Sequence, residues 1–494
     1  MLRWPVTTEC TPMGLDTARA AQALKFYIDN RWARWLLKRF FSKCSKDGKS
    51  RLEVALELFS GTRHSACLLC RRFVAPIVSK IVVRSGSALG ASREAMEEKF
   101  KDPYWRRGLL DVISGIVKYG VRRPFTPGAP FLIVWDITAR CNLRCKHCYS
   151  TAGRPLPKEL STEEAVRVID DLADMGVATI AFSGGEPLLR PDFFDLVRET
   201  RERGMFPAVA TNGTLITKEV ARRLKEAGVG FVQISLDGAS PATHDSFRGV
   251  EGAFERTLEG IRNSVDQGLF VEVSTTVTRL NMKELNGIIE LCKKLRVSWF
   301  MMFNFVPTGR GRFIIENDLS PVEREDILRE LWNRLKRDPD LPILSTAPQF
   351  ARVALQAEEG EVKVVPTHFY NMTLQGRLEG LSEFVGGCGA GRCYAAIGAE
   401  GGVQPCVFFP LTVSNVREVK FSETWDTNPV FWDLRDREKL KGGCGTCKYK
   451  YVCGGCRARA YGYFNDYLAP DPGCIVNLKY WEEVAKTSAR QGNA

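Results

Sequence analysis

Long apolar runs are absent from this sequence of 494 residues. The longest, such as residues 131–135, fall far short of the roughly 20 residues that a membrane-spanning helix needs. Near the start, MLRWPVTTECTPMGLD carries polar and acidic residues where a signal peptide would be apolar. No low-complexity segment indicates extended disorder. We therefore expect a cytoplasmic protein, and its length predicts two or three packed domains.

Acidic residues are scarce in the first 130 positions, which hold 24 Lys and Arg against 11 Asp and Glu. Their net charge of +13 exceeds the +12 of the whole chain, so residues 131–494 sum to −1. The basic character therefore belongs to the N-terminal part alone. No RNA-binding motif accompanies it, and nucleic acid is not an expected partner.

Residues 1–125 are predicted to be a basic helical region. One stretch repeats apolar residues at helical spacing and places basic residues between them. The apolar positions are Leu24, Ile28, Trp32, Trp35, Leu36 and Phe40, and the basic ones are Arg31, Arg34, Lys38 and Arg39. Such a helix fits the surface of an anionic membrane, which predicts peripheral membrane contact through residues 1–125. An ordinary helix packed on the next domain is the alternative.

From residue 126 to 336 short apolar strands alternate with helical stretches. The predicted strands are 131–137, 177–182, 206–210, 229–235, 269–277 and 298–305. Six such units predict an α/β fold with a parallel sheet that curls into a partial (β/α)6 barrel. Residues 337–385 are predicted to be an irregular connecting segment. A cysteine-rich domain at 386–480 and a tail at 481–494 complete the prediction.

Sixteen cysteines in a chain without an export signal indicate metal rather than disulfides, and eleven fall in the segments 141–148 and 388–474. Cys141, Cys145 and Cys148 follow the first predicted strand. Three thiolates on an iron–sulfur cubane leave one iron free for a small molecule. This motif resembles that of the radical S-adenosylmethionine (SAM) superfamily. A zinc site formed with His147 is the alternative.

The resemblance implies a [4Fe–4S] cluster on these catalytic cysteines, with SAM bound to the open iron. It also implies roles in SAM binding for residues in the loops after the strands, where β/α barrels place active sites. These cofactor-binding residues are His147 beside adenine, Gly184, Gly185, Glu186 and Pro187 near the amino group, Asn212, Ser235, Asp237, and Arg248 near the carboxylate.

The second cysteine group resembles the SPASM extension, which carries up to two auxiliary [4Fe–4S] clusters. The resemblance implies one cluster on Cys388, Cys393, Cys406 and Cys456, and another on Cys444, Cys447, Cys453 and Cys474. Two residues separate Cys453 from Cys456, whereas some family members have three, so the wiring is an expectation. Zinc ribbons are the alternative. The stretch from Cys444 to Cys474 looks most like enzymes of alternative heme biosynthesis.

The family resemblance implies reductive cleavage of SAM to a 5′-deoxyadenosyl radical, which abstracts hydrogen from an unactivated carbon. A heme or tetrapyrrole precursor is the first substrate hypothesis; a membrane lipid and a ribosomal peptide are the alternatives. A flavodoxin- or ferredoxin-like protein is expected as the electron donor. An iron–sulfur electron carrier is the non-enzyme alternative, although a carrier needs no SAM pocket.

Four further cysteines lie in the N-terminal region, away from both groups. Cys67 and Cys70 form a Cys-x-x-Cys pair preceded by His64, with Cys10 and Cys44 elsewhere in the region. They could hold another metal, but buried helical residues are the favoured interpretation, because free cysteine is commonly buried.

Overall fold

The computed structural model describes residues 31–88, 91–338, 340–357 and 383–491. The first half of the predicted amphipathic helix, with Leu24 and Ile28, lies outside the described residues. Its second half is confirmed as helix α1, Arg31–Phe41. Phe40 and Phe41 of this helix pack against the small N-terminal core, whereas Trp35 is 51% exposed.

The described N-terminal region is helical, as the sequence predicts. After α1 come α2 (Arg51–Phe59), a π-helical turn (Cys70–Val74), α3 (Ala75–Ala88), α4 (Arg93–Lys99) and α5 (Pro103–Tyr119). Side-chain oxygens of Ser50, Ser92 and Asp102 cap the first turns of α2, α4 and α5. Leu52, Leu56, Val74, Val78 and Met96 form a core that is separate from that of the barrel. This region is therefore a small helical domain.

Strands and helices alternate from residue 132 onward. They are β1 (Leu132–Asp136), α6 (Thr162–Met175), β2 (Thr179–Ser183), α7 (Phe193–Glu202), β3 (Phe206–Thr211), α8 (Lys218–Ala227), β4 (Phe231–Ser235), α9 (Pro241–Arg248), α10 (Ala253–Asp266), β5 (Phe270–Val277), α11 (Leu285–Lys294) and β6 (Trp299–Asn304). The predicted capping box at Ser161 and Glu164 opens α6, and Gly176 ends it in the left-handed conformation. All six predicted strands are present.

The six strands are parallel and lie side by side in chain order. Alternate residues of each strand, such as Ile133 and Trp135 of β1, join the core under the helices. The opposite face of the sheet carries the other residues of each strand. The prediction of an α/β fold with a parallel sheet is confirmed.

The segment from 337 to 385 is less irregular than the sequence predicts. It contains β7 (Ile343–Ser345), which pairs in parallel with β6, and α13 (Gln349–Ala357), which packs on α12 (Pro321–Arg337). The prediction missed β7 because three residues are too few for a recognisable period. The end of the barrel sheet therefore lies beyond the predicted boundary at 336.

The cysteine-rich region joins the barrel sheet instead of standing apart. Its first strand, β8 (Tyr394–Ile397), pairs in parallel with β1, and β9 (Gly402–Gln404) and β10 (Ser414–Asn415) extend that edge. The helices that follow are α14 (Phe421–Thr427), α15 (Pro429–Arg435), α16 (Gly442–Thr446), α17 (Arg457–Phe464) and α18 (Leu478–Gln491). Helix α18 continues to Gln491, so the predicted tail at 481–494 is helical up to that residue.

None of the helices in the described part of the chain combines the length and the hydrophobicity needed to cross a membrane.

Candidate functional site

The loop after β1 brings the three predicted cluster cysteines together. Cys145 is 8% exposed and packs with Leu143, and half-buried Cys141 and Cys148 border the same small cluster. The loop is fixed by backbone bonds to the end of α9: Arg144 N–H donates to Arg248 O at 3.0 Å, and Lys146 N–H donates to Phe247 O at 2.9 Å. Burial raises the pKa of the Cys141 thiol to about 11. Ligation to a cationic metal would overcome that bias toward the neutral thiol.

The two glycines after β2 lie directly against the backbone of the cysteine loop. A Cβ atom at Gly184 would lie 2.4 Å from Thr138 O, and one at Gly185 would lie 2.2 Å from Arg140 O. Gly184 also has a φ of +135°, which disfavours a side chain. Both positions therefore require glycine for the contact with the cysteine loop. Pro187 follows Glu186 and begins a 3₁₀ turn, Pro187–Leu189.

Glu186 connects the loop after β2 to the loop after β3. Its buried carboxylate accepts the Thr211 hydroxyl at 2.8 Å, the Asn212 N–H at 2.9 Å and the Leu188 N–H at 3.3 Å. Burial raises the pKa of Glu186 to about 7 although these bonds favour the anion. The Asn212 amide donates to Asn142 Oδ1 of the cysteine loop at 2.8 Å. The two loops are therefore joined on one side of the cluster cysteines.

A buried ion pair joins the loop after β4 to the end of α9. Arg248 Nη2 lies 2.6 Å from Asp237 Oδ2, and Arg248 Nη1 lies 3.7 Å from Cys145 Sγ. Burial raises the pKa of the Asp237 carboxyl, whereas the Asp237 charge raises the pKa of Arg248 against its own burial. Ser235 is half-buried at the end of β4. This group places one cation directly beside the cluster cysteines.

His147 lies beside that ion pair. Its Nε2 is 3.5 Å from Asp237 Oδ2, and its ring stacks on Phe247 at 4.2 Å. Burial lowers the His147 pKa, which keeps the ring neutral. Within the described ranges, His147 Nδ1 and Arg248 Nε are buried without a hydrogen-bond partner. Buried polar atoms normally have partners, so these two fit a polar ligand such as SAM.

Two groups near the cysteine loop were missed by the sequence interpretation. Arg310 follows β6, and its side chain donates to Cys145 O at 2.9 Å and to Ala152 O at 2.6 Å. Asp136 ends β1 and accepts the Tyr149 hydroxyl at 3.1 Å, and burial raises its pKa to about 7. Asp136 lies at the end of one predicted strand and Arg310 in the segment that follows another, and that position was the available signal.

The C-terminal cysteines separate into two groups. Buried Cys388 and Cys406 belong to one apolar cluster, which half-buried Cys456 borders. Burial and the nearby Cys388 charge both raise the pKa of the Cys393 thiol. The other four cysteines line a single pocket: Cys444, Cys447, Cys453 and Cys474. The wiring expected for the two auxiliary clusters stays a prediction.

Buried arginines surround both groups. Burial raises the pKa of the Cys393 thiol, and the charges of Arg392, Arg437 and Arg435 act in the opposite direction. Within the described ranges, both Nη atoms of Arg435 are buried without a hydrogen-bond partner. Arg457 Nη2 lies 3.6 Å from Cys444 Sγ. Burial lowers the pKa of Arg437 to about 10. Such cations need buried anions, and thiolates around an iron–sulfur core would supply them, whereas neutral thiols would not.

Comparison with known proteins gives two family matches. Residues 135–292 match the model described as the radical SAM superfamily, and residues 388–448 match the model described as an iron–sulfur cluster-binding domain, SPASM. The second match favours iron–sulfur clusters over the zinc ribbons considered from the sequence.

Three relatives carry the name AdoMet-dependent heme synthase, among them one from Methanosarcina barkeri and one from Nitratidesulfovibrio vulgaris. The one from Methanosarcina barkeri is 41% identical over 350 residues, which cover 70% of this chain and 97% of the relative. The one from Nitratidesulfovibrio vulgaris is 38% identical over 357 residues, covering 71% of this chain and 94% of the relative. Almost a third of this chain therefore has no counterpart in either relative.

Among solved structures, Streptococcus suis SuiB bound to S-adenosylmethionine has the same fold. Its TM-score is 0.60 at 16% identity, and the match covers 86% of this chain and 93% of SuiB.

Proposed function

This chain belongs to the radical SAM superfamily, in the group with a SPASM domain, and we propose that it oxidises a side chain of a heme precursor. It is an enzyme that uses SAM and iron–sulfur clusters and that needs a reductant. The substrate is our proposal. The observation that carries it is the match to nearly the full length of two relatives named heme synthases.

Cys141, Cys145 and Cys148 are proposed to hold the cluster that binds SAM. When bound, this cluster and SAM supply a 5′-deoxyadenosyl radical that abstracts hydrogen from an unactivated carbon. Arg310 supports the cysteine loop, because its side chain donates to the backbone oxygens of Cys145 and Ala152. The protein thereby fixes the loop before the ligand arrives.

The SAM site is proposed to lie between the loops after β2 and β4. Arg248 would pair with the SAM carboxylate, and its orphaned Nε supports this role. Glu186 uses three of about four acceptor positions on Thr211, Asn212 and Leu188, so one remains for the SAM ammonium. Gly184, Gly185, Pro187 and Asn212 would shape this side, while His147, Ser235 and Asp237 would shape the side near adenosine.

The substrate is proposed to bind at the end of the barrel where β1 meets the SPASM domain. Tyr149 contacts Phe408 edge-on at 5.0 Å, and Phe303 of β6 contacts the same ring at 6.0 Å. Asp136 and Ser183 lie beside the Tyr149 hydroxyl. An apolar ring wall with one carboxyl of raised pKa suits a flat macrocycle with acidic side chains.

The two auxiliary clusters are proposed to be held as the sequence suggested. Cys388, Cys393, Cys406 and Cys456 would hold one, and Cys444, Cys447, Cys453 and Cys474 the other. When bound, they can accept the electron that the substrate gives up after losing hydrogen, which makes the net reaction an oxidation. A flavodoxin- or ferredoxin-like protein is proposed as the source of the initiating electron.

The test is anaerobic turnover of the reconstituted full chain with SAM, dithionite and iron coproporphyrin III. We expect 5′-deoxyadenosine together with an oxidised tetrapyrrole of lower mass, both lost in Cys145→Ala and retained in Cys292→Ala. Cys292 is a matched control because it is buried in α11, away from both cysteine groups. Release of 5′-deoxyadenosine while the tetrapyrrole stays unchanged would contradict the substrate proposal.

The N-terminal domain favours a second partner, an anionic membrane surface. Every fourth residue from Leu69 to Ile81 is apolar and exposed, with Leu69 47%, Phe73 58%, Ile77 44% and Ile81 55% exposed, and neighbouring Leu68 is 71% exposed. No acidic residue lies between positions 65 and 92, which hold four basic ones: Arg71, Arg72, Lys80 and Arg84. Exposed apolar side chains among cations are typical of interfacial helices.

We propose that the face formed by Leu68, Leu69, Phe73, Ile77 and Ile81 rests on anionic lipid, which would keep the enzyme at the membrane surface. It also gives a specific reason to keep a membrane lipid as the second candidate substrate. Flotation of the full chain with vesicles of phosphatidylglycerol and phosphatidylcholine tests the contact. Phe73→Glu with Ile77→Glu should abolish flotation, whereas Leu156→Glu, on an exposed barrel residue, should not. Equal flotation of all three proteins, or of none, would contradict the contact.

The two substrate candidates separate in one assay. The same turnover mixture is supplied with vesicles in place of the tetrapyrrole, and the lipids are analysed by mass spectrometry. Modified lipid with unchanged tetrapyrrole would replace the heme proposal, whereas unmodified lipid would leave the membrane as a docking surface only.

A further inference from the structure

Three cysteines that belong to neither cluster region converge in the N-terminal domain. Cys44 lies before α2, and Cys67 and Cys70 lie at the π-helical turn before α3. Their Sγ atoms all lie within 4.8 Å of one another. Cys44 is 2% exposed, Cys70 is fully buried and Cys67 is half-buried. The sequence favoured buried helical residues here, but the structure brings thiols from two separate segments to one point.

The backbone around each thiol has the shape of a metal-binding turn. Lys43 and Ser50 form an antiparallel bridge, and within it Cys44 N–H donates to Lys49 O at 2.7 Å. Gly48 closes this turn with a φ of +68°, and its N–H donates to Cys44 O at 2.9 Å. This geometry holds the Cys44 side chain above a tight turn, as zinc-binding turns do.

The second turn is built around Cys67. Cys70 N–H donates to Cys67 Sγ at 3.3 Å, and Arg71 N–H donates to Cys67 O at 3.0 Å. A sulfur that accepts a backbone N–H is being treated as an anion by its surroundings. The turn is therefore arranged for a thiolate before any metal is present.

The spacing of the sulfurs distinguishes a single ion from a cluster. Tetrahedral zinc with Zn–S bonds of about 2.3 Å places its sulfurs about 3.8 Å apart. A cubane spreads its thiolates over different irons and separates them further. In the part of the chain that the structure describes, Cys44, Cys67 and Cys70 form the one group of three candidate ligands at single-ion spacing. The N-terminal group therefore differs in kind from both cluster regions.

Asp47 lies beside Cys44, outside the group of three sulfurs. Its Oδ2 lies 3.0 Å from Cys44 Sγ, and its Oδ1 is paired with Arg63 at 2.6 Å. Arg63 is in turn held by Glu57 at 2.7 Å. The carboxylate is therefore fixed next to the Cys44 thiol, where it can orient that side chain.

We propose that Cys44, Cys67 and Cys70 bind one zinc ion that fixes the N-terminal domain, with a water molecule as the fourth ligand. The ion would join the turn before α2 to the turn before α3, and these helices provide most of the small core of the domain. Leu68 and Leu69, which begin the exposed apolar face, lie between two of the ligands. Zinc would therefore also set the shape of that face, because it fixes the backbone on both sides.

The experiment measures zinc and iron together in the full chain, purified anaerobically from zinc-supplemented cells and reconstituted. We expect about one zinc per chain, lost in Cys44→Ser and in Cys67→Ser and retained in Cys292→Ser, with the iron content unchanged in all four proteins. Asp47→Asn should keep zinc but release it to a chelator at least about tenfold more readily. Absence of zinc from the wild type, or loss of one iron instead of zinc in the variants, would overturn the proposal.

A second measurement uses only the wild type, in case the variants fail to fold. N-ethylmaleimide is added with and without a zinc chelator, and the labelled peptides are identified by mass spectrometry. Zinc ligation predicts that Cys67 is protected until the chelator is present. The proposal would be overturned if the extent of Cys67 labelling were the same with and without the chelator. A disulfide joining any two of the three cysteines would also overturn it.

Discussion

Arg248 and Asp237 form a buried ion pair at 2.6 Å, and Arg248 is at the same time within 3.7 Å of Cys145 Sγ. The pair therefore fixes the position of a cation beside the cysteine loop. Asp237 is itself held by Thr276 N–H at 2.8 Å. The carboxylate orients the guanidinium, and this leaves Arg248 Nε free for a ligand.

Asp237→Asn should destabilise the protein and reduce SAM cleavage. Breaking a buried pair leaves an uncompensated cation, which costs about 3 kcal/mol in the free energy of unfolding. Denaturant titration and the rate of 5′-deoxyadenosine release measure the two effects. Arg222→Gln is the matched control, because Arg222 forms exposed pairs on α8 and should change neither quantity. An Asp237→Asn protein with normal KM for SAM would contradict a role in positioning Arg248.

Arg310→Gln should loosen the cysteine loop. The substitution removes the hydrogen bonds that the Arg310 guanidinium donates to Cys145 O and Ala152 O. Charged hydrogen bonds of this kind contribute about 2 kcal/mol each. We expect a chelator to remove the SAM-binding cluster faster from this variant. The electron paramagnetic resonance signal of the cluster measures that loss. Arg312→Gln, on an exposed residue of the same turn, should retain the cluster. Equal loss in both variants would remove the structural role assigned to Arg310.

Asp471→Asn should release iron from the SPASM domain. Asp471 is fully buried, pairs with Arg459 at 2.7 Å and accepts the N–H of Cys456 at 2.7 Å. These contacts lower its pKa to about 2 in spite of burial. Losing the charge leaves Arg459 unpaired, at a cost of about 3 kcal/mol. The iron content should fall toward that of the SAM-binding cluster alone. Asp466→Asn, which breaks a pair with exposed Lys441, should match wild type.

Glu272 should make stability depend on pH. It is 1% exposed in β5, and burial raises its pKa to about 7 from 4.5. The folded chain therefore binds a proton more tightly than the unfolded chain does. Stability is complete below pH 4.5 and falls as pH rises through 7, by about 3 kcal/mol. Glu272→Gln lacks this loss, so its stability advantage over wild type in denaturant titrations should grow between pH 5 and pH 8. A constant difference across that range would contradict the raised pKa.

The sequence was sufficient for the six parallel strands and for the cysteine sets, since periodicity and spacing are local signals. Cys141, Cys145 and Cys148 are adjacent in the chain, so their meeting needed no long-range information. Strand β7 and the pairing of β8 with β1 could not be predicted, because short strands are defined by their partners. The roles of Arg310 and Asp136 depend on distances across the barrel, which a sequence does not give.

The N-terminal domain shows the opposite failure. The sequence predicted an amphipathic helix at residues 24–40, whereas the exposed apolar face of the described chain lies on the helical segment 68–81. Both helices alternate apolar and basic residues, and only burial distinguishes them: Phe40 packs into the core, and Phe73 does not. A hydrophobic period predicts one apolar side, but not whether protein or another surface covers it.

The parallel pairing of β1 with β8 affects how the protein is made. A ribosome releases β1 long before it releases β8, so the edge of β1 stays unpaired while most of the chain is synthesised. An unpaired edge beside three reactive thiols is prone to aggregation and to oxidation. Sheet closure and the loading of the first cluster therefore both have to wait until the C-terminal region has emerged. Expression at low temperature, with slow synthesis and ample iron, should yield more intact protein than fast expression does.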